Sequence, residues 1–533
     1  MTNVPNGPTR SPSCYPARSA WSNSSDGAES TVEIPVQLAS ERTDPRTSNA
    51  ALVQKYDAVA YAAQSNALSH PEHMAVVATL FGLEPADVAS CHVLELGCSN
   101  GANLLPMAAN LPEAHFVGCD LSPRAIAAAR RSLAELGLDN VAFFQGDLSA
   151  LPEAMGEFDY VIAHGVYSWV PASVREAMFA LAGRRLKHDG VMFVSYNVYP
   201  GCHVRQAVWE VLRLHIERID GAPARLEAAR AFAAALAEPG ATQNPVDALL
   251  RHEFKRVAQI TDSALYHDDL AEPNDPVYFR EFAAHAARHG LKFLAEAKLA
   301  MTQADASPSM QRFLAGRDRI EREQLLDFAQ LRRFRQSLLC RADSATGFAI
   351  APERVAPMWI GASAQLLRTV AEGKPPVGAG QAGAPTSDEE WMLAIAPETM
   401  PVSDVAARLA WSPPAETRRS LEAILVDACV QGSLRLSLRP PALVAVAGDR
   451  PKAGSFARWQ AGHGVAVTNL QHETMQVRDA NALRLLALLD GNRTRGELTL
   501  AMVDALPGWE RAAVAQRIDE YLAQFGKLAL LVA

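Results

Sequence analysis

The sequence predicts an α/β protein organised around a parallel sheet, and the pattern between residues 93 and 147 carries that prediction. Three short apolar runs, within 93–101, 115–120 and 141–147, each end in small or acidic residues, and segments with helical spacing separate them. Strands that alternate with helices in this way indicate parallel strands joined by crossover helices. Ligands of such sheets bind at the carboxyl ends of the strands, where this sequence places its polar residues.

The residues at these strand ends suit an adenosine ligand. Gly97 and Gly101 allow a tight turn and the close approach of a ligand to the first helix. Asp120 can accept hydrogen bonds from both hydroxyls of a ribose, and Asp147 can meet an adenine amino group. A nicotinamide dinucleotide is the first alternative, because its fingerprint also combines a glycine-rich turn with an acidic residue about 20 positions later.

Three details disfavour the nicotinamide alternative. Glu95 lies inside the turn motif, Ser99 takes the place of the middle glycine, and Gln145-Gly146-Asp147 adds a third polar strand end. The series Glu-x-Gly-x-x-x-Gly, Asp and Gly-Asp resembles class I methyltransferases that use S-adenosylmethionine. A glycine turn with solvated aspartates explains each residue singly but not the series.

Four further strands are predicted at Phe158–Gly165, Val191–Asn197, Leu291–Ala295 and Phe334–Arg341. Asp189-Gly190 suits a turn just before the second of them. The helical segments between about 203 and 273 would then be an insertion over the ligand face of the sheet, which is a natural place for a substrate lid.

Aromatic residues follow the fourth and fifth predicted strands, near which the methyl group emerges in this fold. The cluster contains His164, Tyr167, Trp169, Tyr196, Asn197 and Tyr199. Aromatic walls favour a cationic sulfonium and desolvate an amine, so we predict a substrate pocket here. Its catalytic candidates are His164, Tyr167, Trp169, Tyr196 and Tyr199, with His164 orienting the acceptor or passing on its proton. Core packing is the alternative for any single ring.

Tyr56 and Tyr61 precede the first strand. They either cover the edge of the domain or close over the cofactor. The full set of expected cofactor-binding residues is Tyr56, Tyr61, Glu95, Gly97, Ser99, Asn100, Gly101, Asp120, Leu121, Asp147, Leu148 and His164.

Longer segments give a more specific resemblance. Bacterial methyltransferases that carry a methyltransferase regulatory domain are similar to this sequence at Glu95-Leu-Gly-Cys, Ile162-Ala-His-Gly-Val-Tyr-Ser-Trp-Val-Pro, Val194-Ser-Tyr-Asn-Val-Tyr-Pro-Gly, His267-Asp268-Asp269-Leu270 and Asn274-Asp275-Pro276. The best-described members methylate lysines of outer-membrane proteins and also end in a winged-helix-like region. The resemblance covers residues 54–345 and implies a Rossmann-like seven-stranded methyltransferase sheet with S-adenosylmethionine as the cofactor. The sequence departs from the family at Ser99, Ala102 and Cys202.

Composition disfavours several classes of partner. A net charge of −9 and a pI near 5.9 argue against nucleic acid, and no run reaches membrane-spanning length. The N-terminus lacks the order of a signal peptide, and seven scattered cysteines without a Cys-x-x-Cys pair suit a reduced, cytoplasmic setting without zinc. His267, Asp268 and Asp269 lack a second ligand cluster, so turn and capping chemistry is preferred and no metal site is expected.

The chain divides into five predicted segments. Residues 1–48 form a disordered tail, 49–202 the cofactor-binding core, 203–345 a helical insertion with the regulatory domain, 346–385 a linker region and 386–533 an α+β winged-helix-like domain. A helix, helix, strand series is predicted in the last segment at Val402–Ala410, Pro414–Gln431 and Ser433–Leu438. A similar order recurs at Ala480–Asp490, Arg495–Ala505, Glu510–Gln524 and Leu528–Val532, which suggests tandem winged-helix-like units. Without a basic stripe, docking or homodimer formation is preferred to DNA binding.

The predicted function is therefore methyl transfer from S-adenosylmethionine to an amine nitrogen. A protein lysine is the preferred acceptor, and an outer-membrane protein before export is one candidate substrate. The alternatives are a small-molecule methyltransferase and a non-catalytic protein that binds the cofactor.

Overall fold

The computed structural model describes residues 49–59, 61, 63–152, 155–238, 244–302, 307–363, 366, 399–408, 420–503 and 510–533. The predicted tail at 1–48 and the Gly/Pro/Ala stretch at 373–385 lie outside these residues, as does part of the predicted helix 414–431. None of the described helices combines the length and the apolar character needed to cross a bilayer.

The centre of the fold is a seven-stranded sheet. Its strands are β1 His92–Leu96, β2 His115–Asp120, β3 Val141–Gln145, β4 Phe158–Ala163, β5 Leu186–Asn197, β6 Leu291–Glu296 and β7 Phe334–Arg341. The spatial order is β3-β2-β1-β4-β5-β7-β6, in which β1 to β5 pair in parallel and β7 is antiparallel to both β5 and β6. This topology confirms the predicted Rossmann-like methyltransferase sheet, including the two late strands that close it.

The fifth strand begins earlier than the sequence predicts. Strand β5 starts at Leu186 and runs through Asp189 and Gly190, where a turn was expected. A β-bulge between Phe158 and Tyr160 of β4 accommodates this irregular start. Gly190 fits there because a Cβ atom would lie 3.0 Å from the carbonyl oxygen of residue 159.

Helices flank the sheet and form the insertion. The first group is α1 Asn49–Ala58, α2 Pro71–Leu80, α3 Leu104–Asn110, α4 Pro123–Leu136 and α5 Ala172–Arg185. The insertion and the approach to β7 contain α6 Cys202–Ile216, α7 Ala222–Leu236, α8 Pro245–Gln259, α9 Asp262–Ala264, a π-helix at Leu265–Asp269, α10 Phe279–Arg288, α11 Leu299–Thr302, α12 Pro308–Leu314 and α13 Arg319–Gln330. Helices α6, α7 and α8 pack around a core of their own, which includes Val208, Leu212 and Phe254.

The C-terminal region is α+β. Its elements are β8 Trp359–Ala362, β9 Met400–Pro401, α14 Val402–Arg408, α15 Leu421–Val430, β10 Leu434–Ser437, α16 Ser455–Ala461, β11 Ala466–Thr468, β12 Thr474–Gln476, α17 Ala480–Leu488, α18 Arg495–Val503 and α19 Arg511–Lys527. Strands β10, β8 and β9 form one small sheet, and β11 and β12 form a hairpin. The helices expected near 480, 495 and 510 are present, whereas α16 and the hairpin were not predicted.

Part of this C-terminal region shares a core with the large sheet. Val405 and Leu425 belong to the same buried cluster as Phe81, which follows α2, and Val93 of β1. The later helices have a separate core built around residues such as Leu486 and Phe525. A further contact joins α16 to α4, because the indole N–H of Trp459 donates to Glu135 at 3.0 Å. The C-terminal elements are thus packed against the methyltransferase sheet, and the domain boundary near residue 386 stays a prediction.

Candidate functional site

A cavity of about 800 Å³ opens at the carboxyl ends of β1 to β4. This volume lies within the range of about 300–1,000 Å³ that is typical of small-molecule sites. The structure places eleven of the twelve expected cofactor residues on its wall: Tyr56, Tyr61, Glu95, Gly97, Ser99, Asn100, Asp120, Leu121, Asp147, Leu148 and His164. Parallel strands explain this result, since their carboxyl ends meet at one edge of the sheet.

The turn between β1 and α3 requires glycine at two positions. Gly97 has φ +74°, and a Cβ atom there would lie 2.6 Å from Cγ2 of Val166. Gly101 has φ +78°, and its Cβ would lie 2.7 Å from the ring of Phe143. Both conformations are strained for other residues. Gly101 is the one expected cofactor-binding residue that does not line the cavity, because it lies against the ring of Phe143 in β3.

Asp120 ends β2 and is held by backbone donors. The N–H of Ser99 donates to Oδ2 at 2.8 Å, and the N–H of Ser122 donates to Oδ1 at 2.9 Å. Burial raises the pKa of Asp120, and these two hydrogen bonds oppose the increase. The hydroxyl of Ser122 also donates to Asp57 of α1 at 2.7 Å. The carboxylate is therefore fixed in position at the strand end where a ribose was predicted to bind.

Glu95 is the buried acid of the cavity floor. Its side chain is 3% exposed, and Oε1 accepts a hydrogen bond of 2.7 Å from Nδ2 of Asn103. The other carboxylate oxygen, Oε2, has no hydrogen-bond partner within the described part of the chain. Burial raises the pKa of Glu95 to about 8. A buried acceptor on a cavity wall fits a ligand that donates hydrogen bonds there, as the amino group of S-adenosylmethionine would.

The two N-terminal tyrosines lie on the cavity and contact the insertion. Tyr56 stacks on the ring of His267 at 5.4 Å, and Tyr61 meets the same ring edge-on at 5.3 Å. His267 lies in the π-helix and donates from Nε2 to the carbonyl oxygen of Val59 at 2.8 Å. This placement favours the closing role over mere cover of an edge.

The π-helix supplies residues that the sequence analysis missed. His267 and Asp268 line the cavity, although turn chemistry was expected of them. Burial, with the charge of Asp269 adding to it, raises the pKa of Asp268 to about 6. Asp269 points elsewhere and accepts hydrogen bonds from Arg205 and Arg256 at 3.0 and 2.8 Å. Single-turn π-helices often occur at functional sites, but a sequence gives no simple signal for them.

His164 and Trp169 are the two predicted catalytic residues that reach the cavity. Nδ1 of His164 lies 2.9 Å from Oγ of Ser195, which also accepts from the N–H of Gly165 at 2.7 Å. Burial lowers the pKa of His164 to about 4, so its ring is neutral at physiological pH. The indole nitrogen of Trp169 is buried without a hydrogen-bond partner among the described residues. This side of the cavity thus offers a neutral imidazole and an indole donor.

The three predicted catalytic tyrosines do not line the cavity. Tyr196 stacks on Phe282 of α10 at 3.8 Å, and Tyr167 meets the same phenylalanine edge-on at 5.2 Å. Tyr199 stacks on His203 of α6 at 4.1 Å. The expected channel of these rings is not formed, because α10 and α6 cover them. Tyr167 and Tyr196 are both buried, as expected for the alternative in which these rings pack in the core.

Outside the cavity, one group of described side chains has the spacing of metal ligands. Glu176 of α5 lies beside His285 and His289, and their ligand atoms are within 4.8 Å of one another. Glu176 contacts the two imidazole Nε2 atoms at 2.9 and 2.8 Å, so its carboxylate already has both histidines as partners. The expectation of no metal site stays a prediction.

Three family models match the chain in succession. A methyltransferase domain matches residues 93–190, a "Predicted methyltransferase regulatory domain" matches 261–341, and a "PKMT, C-terminal winged helix domain" matches 449–524. These matches give the chain a methyltransferase domain, a regulatory domain and a winged-helix domain in that order. The first matched range contains most of the residues that line the cavity at the ends of β1 to β4, and the second contains His267, Asp268 and the two closing strands β6 and β7.

Relatives of this chain are found in Rickettsia. The uncharacterised protein RP789 of Rickettsia prowazekii is 35% identical over 291 residues, which cover 54% of this chain and 53% of that protein. RP028 of the same organism is 29% identical over 240 residues, covering 45% of this chain and 96% of that protein. The chain thus spans about half the length of RP789.

A solved structure shares the overall fold. PKMT2 from Rickettsia typhi in complex with AdoHcy has a TM-score of 0.75 and 22% identity, covering 89% of this chain and all of that one. The similarity extends the match beyond the sheet to the insertion and the C-terminal region. It confirms the fold predicted from the sequence.

Proposed function

We propose that this methyltransferase transfers methyl groups to the side-chain nitrogen of lysine in a protein. The observation that carries the proposal is the lining of the cavity, which combines the cofactor residues with carboxyl groups beyond those a cofactor needs. Asp268 and Glu473 line the same cavity as His164 and Trp169. Carboxylates attract a lysine ammonium, whereas a neutral metabolite gains nothing from them. The PKMT designation of the winged-helix family and of the Rickettsia typhi structure, which abbreviates protein lysine methyltransferase, supports the same acceptor.

The protein's own residues would prepare the amine. S-adenosylmethionine supplies an electrophilic methyl group when it is bound. A lysine ammonium has a reference pKa of about 10.4 and must lose a proton before it can act as a nucleophile. Asp268, with its pKa raised to about 6, can hold the ammonium and accept that proton. Neutral His164 can then accept a hydrogen bond from the amine and orient it, and Trp169 walls the cavity against water.

Methyl transfer into a cell lysate tests this proposal. The full chain is incubated with labelled S-adenosylmethionine and fractionated lysate, and the labelled species are identified by mass spectrometry. Label on protein lysines is expected, and Asp268→Asn and His164→Ala should each lower it at least about tenfold, since general acid–base groups contribute about 10²–10⁴-fold. His92→Ala, at an exposed position outside the cavity lining, is the matched control.

Two other outcomes would contradict the lysine proposal. Label confined to small molecules would identify a small-molecule methyltransferase. Cofactor binding by calorimetry without transfer to any fraction would identify a non-catalytic binding protein. Equal activity of Asp268→Asn and the wild type would remove Asp268 from the mechanism.

A further inference from the structure

A loop of the winged-helix domain forms part of the cofactor cavity. The turn of the β11–β12 hairpin, residues 469–473, reaches the cavity, and His472, Glu473 and Thr474 line it. Oγ1 of Thr474 lies 2.7 Å from Oγ of Ser65, which anchors the hairpin to the N-terminal segment. The site is therefore built from all three matched domains, and its last wall comes from residues far along the chain.

His472 makes one specific hydrogen bond inside this wall. Its ring nitrogen Nε2 lies 2.8 Å from Oδ1 of Asn103, and the side chain is 2% exposed. The network fixes the orientation of the Asn103 amide, because Nδ2 donates to Glu95 at 2.7 Å and to Ser69 at 3.1 Å, while Oδ1 also accepts from the N–H of Asn66 at 2.9 Å. An amide oxygen only accepts, so Nε2 of His472 carries the hydrogen.

The other ring nitrogen of His472 is therefore an acceptor. A neutral imidazole carries one hydrogen, and burial lowers the pKa of His472 to about 3, which keeps the ring neutral. Nδ1 thus presents a lone pair, and within the described residues it has no hydrogen-bond partner. Oε2 of Glu95 is the second such acceptor when the carboxyl group is ionised, which a cation bound beside it favours. Both side chains line the same cavity, and both are bonded to the one amide of Asn103.

Two buried acceptors, one of them on a carboxyl group, require a particular ligand. The ligand group must donate at least two hydrogen bonds and is most stable there if it is cationic, because unpaired buried acceptors are costly. A primary ammonium group meets both conditions, whereas a carboxylate or a carbonyl group meets neither.

We propose that Oε2 of Glu95 and Nδ1 of His472 form a subsite for a primary ammonium group, that of the amino-acid part of S-adenosylmethionine. The winged-helix domain then contributes directly to cofactor binding. This inference rests on the cofactor of the proposed function but not on its acceptor, and binding measurements test it without any methyl transfer. A lysine ammonium of the acceptor is the other source of the same chemistry.

The test compares two ligands by calorimetry on the full chain. S-adenosylhomocysteine carries the ammonium group, and methylthioadenosine shares the adenosine and the thioether but lacks the amino-acid part. His472→Ala should weaken S-adenosylhomocysteine about 10- to 150-fold, the range of one hydrogen bond to a charged group, and leave methylthioadenosine unchanged. His472→Asn should retain most of the affinity, because Oδ1 of asparagine replaces Nδ1 and asparagine tolerates the φ of +64° at this position.

Controls separate this subsite from a structural role. His463→Ala removes a half-exposed histidine of the same domain and should change neither affinity. Equal weakening of both ligands by His472→Ala would overturn the proposal, because it would show a general disturbance of the cavity. Unchanged affinity for both ligands, with a raised KM for a lysine acceptor, would assign the subsite to the acceptor and also overturn it. If His472→Ala does not fold, the affinities of both ligands are measured with His472→Asn and Glu95→Gln instead. A loss of affinity for S-adenosylhomocysteine alone with Glu95→Gln supports the subsite, and equal losses for both ligands refute it.

Discussion

Replacing Glu95 with glutamine tests the electrostatics of the cavity floor. Burial raises the pKa of Glu95 from 4.5 to about 8, Asn103 opposes the increase through its hydrogen bond, and the charge of Asp120 adds to it. The folded chain therefore holds the proton more tightly than the unfolded chain does. Such a group stabilises the fold fully below pH 4.5, and this contribution is lost as the pH rises through 8.

The size of this effect follows from the difference between the two pKa values. A difference between 4.5 and about 8, at about 1.4 kcal/mol per pKa unit, corresponds to about 5 kcal/mol. Glutamine has the same shape and does not ionise. The free energy of unfolding of Glu95→Gln should therefore rise relative to that of the wild type between pH 4.5 and 8, by up to about 5 kcal/mol.

Melting curves of both full-length proteins between pH 5 and 9, without ligand, measure this difference. Glu84→Gln, at an exposed glutamate, is the control and should follow the wild type at every pH. Parallel pH dependences of Glu95→Gln and the wild type would refute the reasoning, because they would mean that Glu95 is already ionised in the folded chain.

Ligand binding gives a second measurement of the same group. If an ammonium group binds beside Glu95, its charge favours the carboxylate, so the wild type should release a proton on binding S-adenosylhomocysteine near pH 7. Calorimetry in buffers with different ionisation enthalpies detects that proton, and Glu95→Gln should show none. A wild type without buffer dependence would contradict the linkage.

Three further substitutions test the remaining parts of the site. Asp120→Ala should weaken S-adenosylhomocysteine by more than tenfold, since each charge-assisted hydrogen bond contributes about 1.5–3 kcal/mol, and unchanged affinity by calorimetry would remove the ribose assignment. Gly97→Ala should lower both the melting temperature and ligand affinity, because its Cβ would lie 2.6 Å from Val166, whereas Gly448→Ala, with open space around its Cβ, should change neither. Tyr196→Ala should destabilise the fold by about 3–5 kcal/mol without a selective effect on turnover, and a fully stable but inactive variant would restore a catalytic role for this ring.

The cavity wall at the ends of β1 to β3 could be predicted because the sequence pattern that encodes it is local. Glu95, Gly97 and Asp120 stand at the ends of short apolar runs, and the parallel connection brings such ends together whatever the rest of the chain does. The positive φ of Gly97 is likewise implied by a tight turn after a strand.

The acceptor side could not be predicted in the same way. Tyr196 is the second-last residue of β5, where a site residue could lie, yet Phe282 of α10 covers its ring. A helix about 90 residues later in the chain covers this face of the strand. The periodicity within the strand does not predict that contact. His164 and Trp169 line the cavity, although their neighbour Tyr167 does not. The clustering of rings in the sequence therefore does not predict which of them line the cavity.

In the C-terminal region, the amino-acid composition does not predict which residues line the cavity. A stretch rich in glycine, proline and alanine before residue 386 predicts separable halves, because such stretches commonly join independent cores. The hydrogen bond between Asn103 and His472 joins residues 369 positions apart, and it leads directly to Glu95. The composition of a segment can predict a linker, but it does not predict which distant residues come together to form a site. Removal of the residues after 372 would open the cavity wall that His472, Glu473 and Thr474 form, so the truncated chain should bind S-adenosylhomocysteine more weakly even if its sheet folds.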